Sequence, residues 1–456
     1  MKKIFTLLLV LTMVLSLAAC GSKKDTTDAD TTDATTTDTE TTDTETKDAD
    51  TTDETVEATD GEASKITIWA WDPNFNIAIM EAAKEIYAKD NPDVEIEIVD
   101  YAKGDLEQKL HTMLASGMTD GLPDIVLIED YNSQKYLQSY PGSFADLTDK
   151  FDYTEFADYK VGLMTLDSKI YGVPFDSGVS GLFYRSDYLE EAGYSASDLE
   201  NITWDQFIEI GEKVFEVTGH QMMATDPNDG GLMRIMLNGA GSWYFDADGN
   251  ATIANNEALA EAVRVYRDMV NSPMTKITSG WGEWVGAINS GEVASITTGV
   301  WITGSVKAEA SQKGLWAVAP TPKLTVSGAV NASNLGGSSW YVLSSSENVD
   351  TAVDFLNKNF TNSDFYQQIL VDRGAVGSYL PAASGDAYAN EDEFFGGQVV
   401  FGDFAKWMDE IPSLNYGLFT YEADSAILSV MPGVYEGGSI EEAMMAAEEQ
   451  VKNLIN

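Results

Sequence analysis

The chain carries residue types that can wall a ligand cleft. Ten tryptophans are present; Trp71, Trp243, Trp281 and Trp301 fall on expected loops, and Trp340 at the start of an expected strand. Flat rings cover the apolar faces of a ligand, while carboxylates, amides and guanidinium groups exchange hydrogen bonds with its polar groups. Asp72, Asp130 and Asp176 are the candidate carboxylates, with Asn76 and Arg373 as further polar candidates and Tyr131 as an aromatic beside Asp130. Each has a plainer role: a tryptophan can pack a core, and an Asp or Asn can cap a helix or close a turn. Metal and nucleophile chemistry find less support. There are two histidines, His111 and His220, and a single cysteine, Cys20, too few for a His/Cys metal site or an internal disulfide. Residues 246–250 look like the start of a calcium loop, but Asn255 and Asn256 stand where its closing glutamate belongs, so a hairpin turn is the reading. No cofactor is expected.

The elements that would position these residues begin at Ile66. Ile66, Ile68 and Ala70 alternate with Thr67, Trp69 and Trp71, the pattern of a strand, and Pro73 stops it. Residues 76–90 read as a helix with Ile77, Met80, Ala83, Ile86 and Tyr87 on one stripe, ended by Asn91-Pro92. Val94, Ile96 and Ile98 predict a second strand, Leu106, Leu110, Met113 and Leu114 a second helix, and residues 124–128 a buried third strand. Strand, helix, strand, helix, strand implies a parallel sheet with right-handed crossovers. Trp71-Asp72 and Glu129-Asp130-Tyr131-Asn132 then follow strands at the same sheet edge, where α/β proteins bind ligands.

At 456 residues two lobes are expected rather than one core. Twenty-seven basic residues against 74 acidic give a formal charge of -47, which argues against nucleic acid and against docking on anionic lipid through a basic patch. Residues 1–20 read as a secretory leader: Lys2 and Lys3, an apolar run too short to span a bilayer, then Leu17-Ala18-Ala19-Cys20. That ending resembles a bacterial lipobox, which implies lipid on the Cys20 sulfur and anchoring to the membrane. Residues 21–64 are nearly all Thr, Asp, Glu and Ala without apolar periodicity, the composition of a disordered acidic tether.

A resemblance appears further on. Tyr171-Gly172-Val173-Pro174, Leu182-Phe183-Tyr184, Leu189-Glu190-Glu191-Ala192-Gly193 and Thr203-Trp204-Asp205-Gln206-Phe207 occur in an order that resembles the family 1 extracellular solute-binding proteins, the maltose-binding-like receptors of ABC importers. Arg185 departs from the asparagine usual after the tyrosine. The glycine-rich turn at 238–249, Gly299-Val300-Trp301, Pro320-Thr321-Pro322 and residues 334–340 continue the likeness to the end of the chain. The resemblance implies a hinged two-lobe α/β fold of the type II periplasmic-binding-protein kind, with mostly parallel sheets and flanking helices. Lobe I would be 65–174 plus 320–361 and lobe II 175–319 plus 362–456, with crossings near Pro174, Pro320 and Thr361. It strengthens Trp71, Trp243 and Trp301 as ligand contacts and adds Tyr421, at the position of a stacking aromatic in the maltose-binding type.

What the resemblance implies for function is a non-catalytic, monomeric receptor on the outer face of the bacterial cytoplasmic membrane. It would capture a carbohydrate, an oligosaccharide better than a monosaccharide, and pass it to permease subunits that are separate chains. Two rivals stand beside it. Acid-and-aromatic cages also suit a polyamine or other cation, and abundant carboxylates leave room for a lipid-anchored glycoside hydrolase.

Overall fold

The computed structural model describes residues 64–246 and 249–455. The expected leader, Cys20 and all but the last residue of the expected tether lie outside the described residues. The strands are β1 (Lys65–Ala70), β2 (Glu95–Asp100), β3 (Ile125–Glu129), β4 (Thr165–Leu166), β5 (Lys169–Ile170) and β6 (Gly172–Pro174). They continue as β7 (Ser180–Arg185), β8 (Gln221–Thr225), β9 (Thr275–Ile277), β10 (Val293–Gly299), β11 (Trp316–Pro320) and β12 (Ser338–Val342). β4 and β5 make a small hairpin; the others form two five-stranded sheets ordered β2-β1-β3-β12-β6 and β11-β7-β10-β8-β9.

The first sheet follows its sequence pattern closely. β1 pairs in parallel with β2 and β3 through the helices α1 (Asn76–Tyr87) and α2 (Lys103–Ser116). Ile66, Ile68 and Ala70 pack against Ile79, Met80 and Ala83 of α1, while Trp69 faces Leu106 and Leu110 of α2 on the opposite side. Period-two alternation in the strand thus meets the 3.6-residue stripe of a helix on each face. α3 (Asp130–Ser139) starts directly at the end of β3, and α4 (Asp158–Leu163) packs beside it.

The second sheet is flanked by α5 (Trp204–Thr218), α6 (Gly231–Gly239), α7 (Glu257–Asn271) and α8 (Gly280–Asn289). Thr203 and Gln206 close a reciprocal capping box at the start of α5. The sheets were expected to be mostly parallel, yet each holds two parallel and two antiparallel pairings. The reason is where the chain enters. The parallel strands run toward the edge between the halves, whereas β7 and β12 arrive from the other half at that same edge. Hence Ser180 lies opposite Gly299 and Ser338 opposite Glu129, the last residues of β10 and β3.

Three extended segments lie side by side where the chain passes between halves. Ser180 N donates to Ser333 O and Leu335 N to Gly178 O, while Ser177 N donates to Val376 O and Ser378 N to Phe175 O, each at 2.8 Å. The first of these segments follows Pro174. The second begins well beyond Pro320, at residues 333–337, and the third is not at Thr361. α9 (Val349–Phe360) and α10 (Ser363–Arg373) both pack on α1, and the third crossing comes at residues 375–378. Gly178 is dictated by this arrangement, since a Cβ there would sit 2.2 Å from Leu335 O.

α11 (Val400–Met408) covers β7 and β11, with Phe404 against Phe183. α12 (Thr420–Tyr435) and α13 (Ile440–Ile455) form an antiparallel pair on α7. Phe245 is bridged to Ala251, and Asp246 N donates to Asn250 O at 3.0 Å.

Candidate functional site

A cleft of about 680 Å³ opens at the edge where β1, β3 and the crossings end. Its first wall is the turn after β1. Asp72 adopts a left-handed backbone, φ +65°, and its Oδ1 accepts from Asn74 N at 3.0 Å and Phe75 N at 3.2 Å. This Asx turn is why the strand stops before Pro73, and it stands Trp71 and Asn76 at the cleft. Asn76 is 4% exposed and its Oδ1 has no hydrogen-bond partner, leaving an acceptor that a ligand hydroxyl can satisfy.

The floor comes from the crossings. Asp176 and the segment Gly336-Gly337-Ser338 line it. Ser338 donates to Asp176 Oδ1 twice, through N and Oγ, both at 2.8 Å. Burial raises the Asp176 carboxyl above the usual range, with Lys160 pulling the other way.

The second wall belongs to the other half. Arg234, on the otherwise apolar α6, sits with its Nε 3.2 Å from Asp424 Oδ2 and a terminal nitrogen 3.9 Å from Asp229. Its Nε makes no aligned hydrogen bond, and the guanidinium lies 4.9 Å above the Tyr131 ring and 5.4 Å above that of Tyr421. Tyr421 reaches across the cleft: its hydroxyl donates to Glu129 Oε2 and accepts from Lys103 Nζ at 3.3 Å. Burial, then Glu129, hold that phenol well above its ordinary range. A second ion pair joins the halves nearby, Lys135 to Glu422 at 2.9 Å. Trp281 and Trp301 complete the wall, their rings 6.0 Å apart, with Trp301 Nε1 fixed on Leu335 O at 2.9 Å.

Of the residues singled out from sequence, Trp71, Asp72, Asn76, Tyr131, Asp176, Trp281, Trp301 and Tyr421 are brought together around the cleft. Four are not. Asp130 lies beneath it, fully engaged by Lys160 at 2.6 and 2.8 Å, and burial pushes its carboxyl up to about 6 against that pull. Trp243 is a core ring whose Nε1 donates to Thr420 at 3.1 Å. It supports Tyr131 from below, the two stacked at 5.7 Å and 17°, with Tyr416 4.7 Å from Tyr131. Trp340 is 0% exposed between Phe175 and Phe360. Arg373 is exposed at the end of α10. Glu129, Asp229, Arg234 and Ser305 line the cleft and were not singled out. Of these, Arg234 had a signal: a lone cation in the apolar run Leu232-Met233-Arg234-Ile235-Met236 needs a partner.

The histidines stay away from the cleft, His111 bonded to Tyr140 and His220 stacked on Tyr188. Among the described residues there is no group of His, Cys, Asp and Glu able to hold a metal ion. None of the helices there is long and apolar enough to cross a membrane.

Comparison with known proteins agrees with this architecture. A family model described as bacterial extracellular solute-binding protein matches residues 82–395. A lactose-binding protein of Rhizobium radiobacter is 55% identical over 399 residues, 87% of this chain and 94% of the relative. An arabinooligosaccharide-binding protein of Bacillus subtilis is 29% identical over 313 residues, 66% of this chain and 71% of the relative. A solved extracellular solute-binding protein of family 1 superposes with a TM-score of 0.72 at 21% identity, covering 86% of this chain and 100% of that one.

Proposed function

The chain belongs to the bacterial extracellular solute-binding proteins, and from that premise we propose that it captures a β-galactoside disaccharide of the lactose type for an ABC importer. This family binds and does not catalyse. The observation that carries the reading is the cleft itself: indoles on both walls, a buried orphan acceptor at Asn76, and an arginine with hydrogen-bonding capacity to spare. Stacked rings plus unsatisfied polar groups favour a neutral polyol, because removing a ligand hydroxyl leaves the site's own group unpaired. The 55% identity to a lactose-binding protein supports a galactoside as that polyol.

The polyamine alternative fits less well. A cationic ligand needs uncommitted carboxylates, whereas Asp130 is spent on Lys160, Asp176 on Ser338, and Glu129 on Lys103 and Tyr421. Arg234 would also repel it.

Capture works by bending at the three crossings, which brings the Trp281 wall over the Trp71 wall, and a permease on a separate chain reads the closed shape. Lipid on Cys20 holds the monomeric receptor to the outer face of the membrane, and the acidic segment 21–64 lets it stand off the surface. Isothermal titration calorimetry tests the ligand class. Lactose should bind with a micromolar or tighter Kd, about -8 kcal/mol or better, with little change on adding salt. Binding of spermidine with steep salt dependence, and none of lactose, arabinooligosaccharides or maltodextrins, would overturn it. Mass spectrometry of the membrane-extracted protein should find a diacylglyceryl adduct on Cys20.

A further inference from the structure

The arginine of the second wall is held by a residue that stands outside the cleft. Asp424, on α12, is 6% exposed and is not among the residues that line the cleft. Its Oδ1 accepts from the Tyr244 hydroxyl at 2.5 Å, and its Oδ2 stands 3.2 Å from Arg234 Nε. Tyr244 is itself fully buried, so the carboxylate is fixed from behind. The other nearby carboxylate, Asp229, is engaged elsewhere. Its Oδ1 accepts from Gly231 N at 2.6 Å and lies 3.9 Å from a terminal nitrogen of Arg234, beyond hydrogen-bond reach.

The fold makes room for this pair at Gly230. That residue precedes α6 at φ -79°, where no left-handed backbone calls for glycine. What calls for it is Asp424: a Cβ at 230 would lie 2.9 Å from the Asp424 Cγ and 3.0 and 3.1 Å from its two oxygens. Gly230 O accepts from Arg234 N at 3.0 Å, so the notch sits one helical turn before the arginine. The guanidinium lies over Tyr131 and Tyr421, at 4.9 and 5.4 Å, with its Nε toward Asp424. Its terminal nitrogens are what remains for the cleft, which Arg234 lines.

We infer that Asp424 is a positioning residue for ligand capture: it sets the plane and reach of the Arg234 guanidinium, so that the terminal nitrogens meet a hydroxyl of the bound sugar. The inference rests on the sugar reading and deepens it. An arginine already held in place gives up less side-chain freedom when the ligand arrives. Without the Asp424 charge the guanidinium turns to Asp229, the next carboxylate within reach, and its donors are spent there.

Calorimetry with lactose on wild type, Asp424→Asn, Arg234→Met and the double variant tests it. Each single substitution should weaken lactose by about 10–100-fold, the scale of a hydrogen bond from a charged donor. The double variant should bind within about 3-fold of Arg234→Met alone, yet melt higher than it, because both members of a buried pair are gone. Effects that multiply in the double variant, or an Asp424→Asn affinity equal to wild type, overturn the inference. Monodeoxy-lactoses add a readout that a mere loosening of α12 cannot produce. One hydroxyl should matter to wild type and no longer matter to Arg234→Met, and that same hydroxyl should no longer matter to Asp424→Asn. The absence of such a hydroxyl, or its undiminished effect in Asp424→Asn, overturns the assignment. Gly230→Ala crowds the same carboxylate without removing a charge. It should weaken lactose at least about 5-fold in an otherwise wild-type protein and leave Arg234→Met unaltered. Unchanged lactose affinity in a folded Gly230→Ala protein also counts against Asp424. Failure of lactose and every other sugar to bind wild type sinks the sugar reading itself, whereas sugar binding that these substitutions do not touch sinks this inference alone.

Discussion

Replacing Lys160 with methionine should destabilise the protein in a way that depends on pH. The Lys160 ammonium and the Asp130 carboxylate are both 0% exposed, with Nζ at 2.6 and 2.8 Å from the two oxygens and at 2.8 Å from Ser338 O. Methionine matches the length of the side chain but leaves a buried carboxylate without its cation, a loss of about 3–5 kcal/mol. In urea this moves the unfolding midpoint down by roughly 1 M or more. The sign follows from the direction of the shift. Burial already raises Asp130 to about 6 with lysine present, and removing lysine raises it further. A carboxyl whose folded pKa lies above its unfolded value of about 3.9 contributes its full stability below that value and loses it as pH rises through the folded pKa, by about 1.4 kcal/mol per unit. In wild type the loss from Asp130 ends near pH 6; in the variant it continues higher. Asp176, also raised by burial and also facing Lys160, acts in the same direction. The gap between wild type and variant should therefore be small at pH 4.5 and widest near pH 8, measured by urea unfolding at several pH values. Adding Asp130→Leu should recover most of the lost stability. A gap below about 1 kcal/mol at pH 7.5, or one constant across the pH range, would refute the argument.

Three further outcomes follow from the site and the crossings. Trp281→Ala removes an exposed platform and should weaken sugar binding by about 10–100-fold, on the scale of one buried aromatic face, while the melting temperature stays put; calorimetry and thermal melts read the two halves of that statement separately. Asn76→Leu takes away a buried acceptor that has no hydrogen-bond partner within the protein, so stability should hold or rise while sugar affinity drops about 10-fold. Gly178→Ala forces a Cβ to 2.2 Å from Leu335 O and must push two crossing segments apart, which should lower stability by about 2–4 kcal/mol; a melting curve superimposable on wild type would contradict it.

The first half of the fold was legible because short-range pattern decided it. β1, α1, β2, α2 and β3 each carry their own period, and Asp72-Pro73-Asn74 carries its own turn, so no distant residue is needed to read them. The misplaced residues failed for the opposite reason. Nothing near Asp130 announces that its counterion is Lys160, which reaches it from α4 after a long intervening loop. Trp340 stands at the start of an expected strand, but β12 sits between β3 and β6 with both faces covered, and such a strand buries every side chain. Trp243 is claimed by Tyr131 and by Tyr416 and Thr420, residues from two other segments. The antiparallel strands escaped notice because strand direction depends on the edge at which the chain arrives, and single-strand composition does not encode that.

Tyr131 leaves a mechanical signature on the whole molecule. It starts from α3 on the first sheet's side, yet its ring, 2% exposed, packs within the core of the second sheet's helices, against Trp243 and Tyr416. Withdrawing that ring would expose apolar surface at about 2 kcal/mol, whereas turning around it exposes none. A swivel of the halves about the tyrosine would keep the ring in its socket, with the least travel beside it and the greatest at the rim where Trp71 and Trp281 stand. An open crystal form with the ring drawn out of its socket would contradict this pivot.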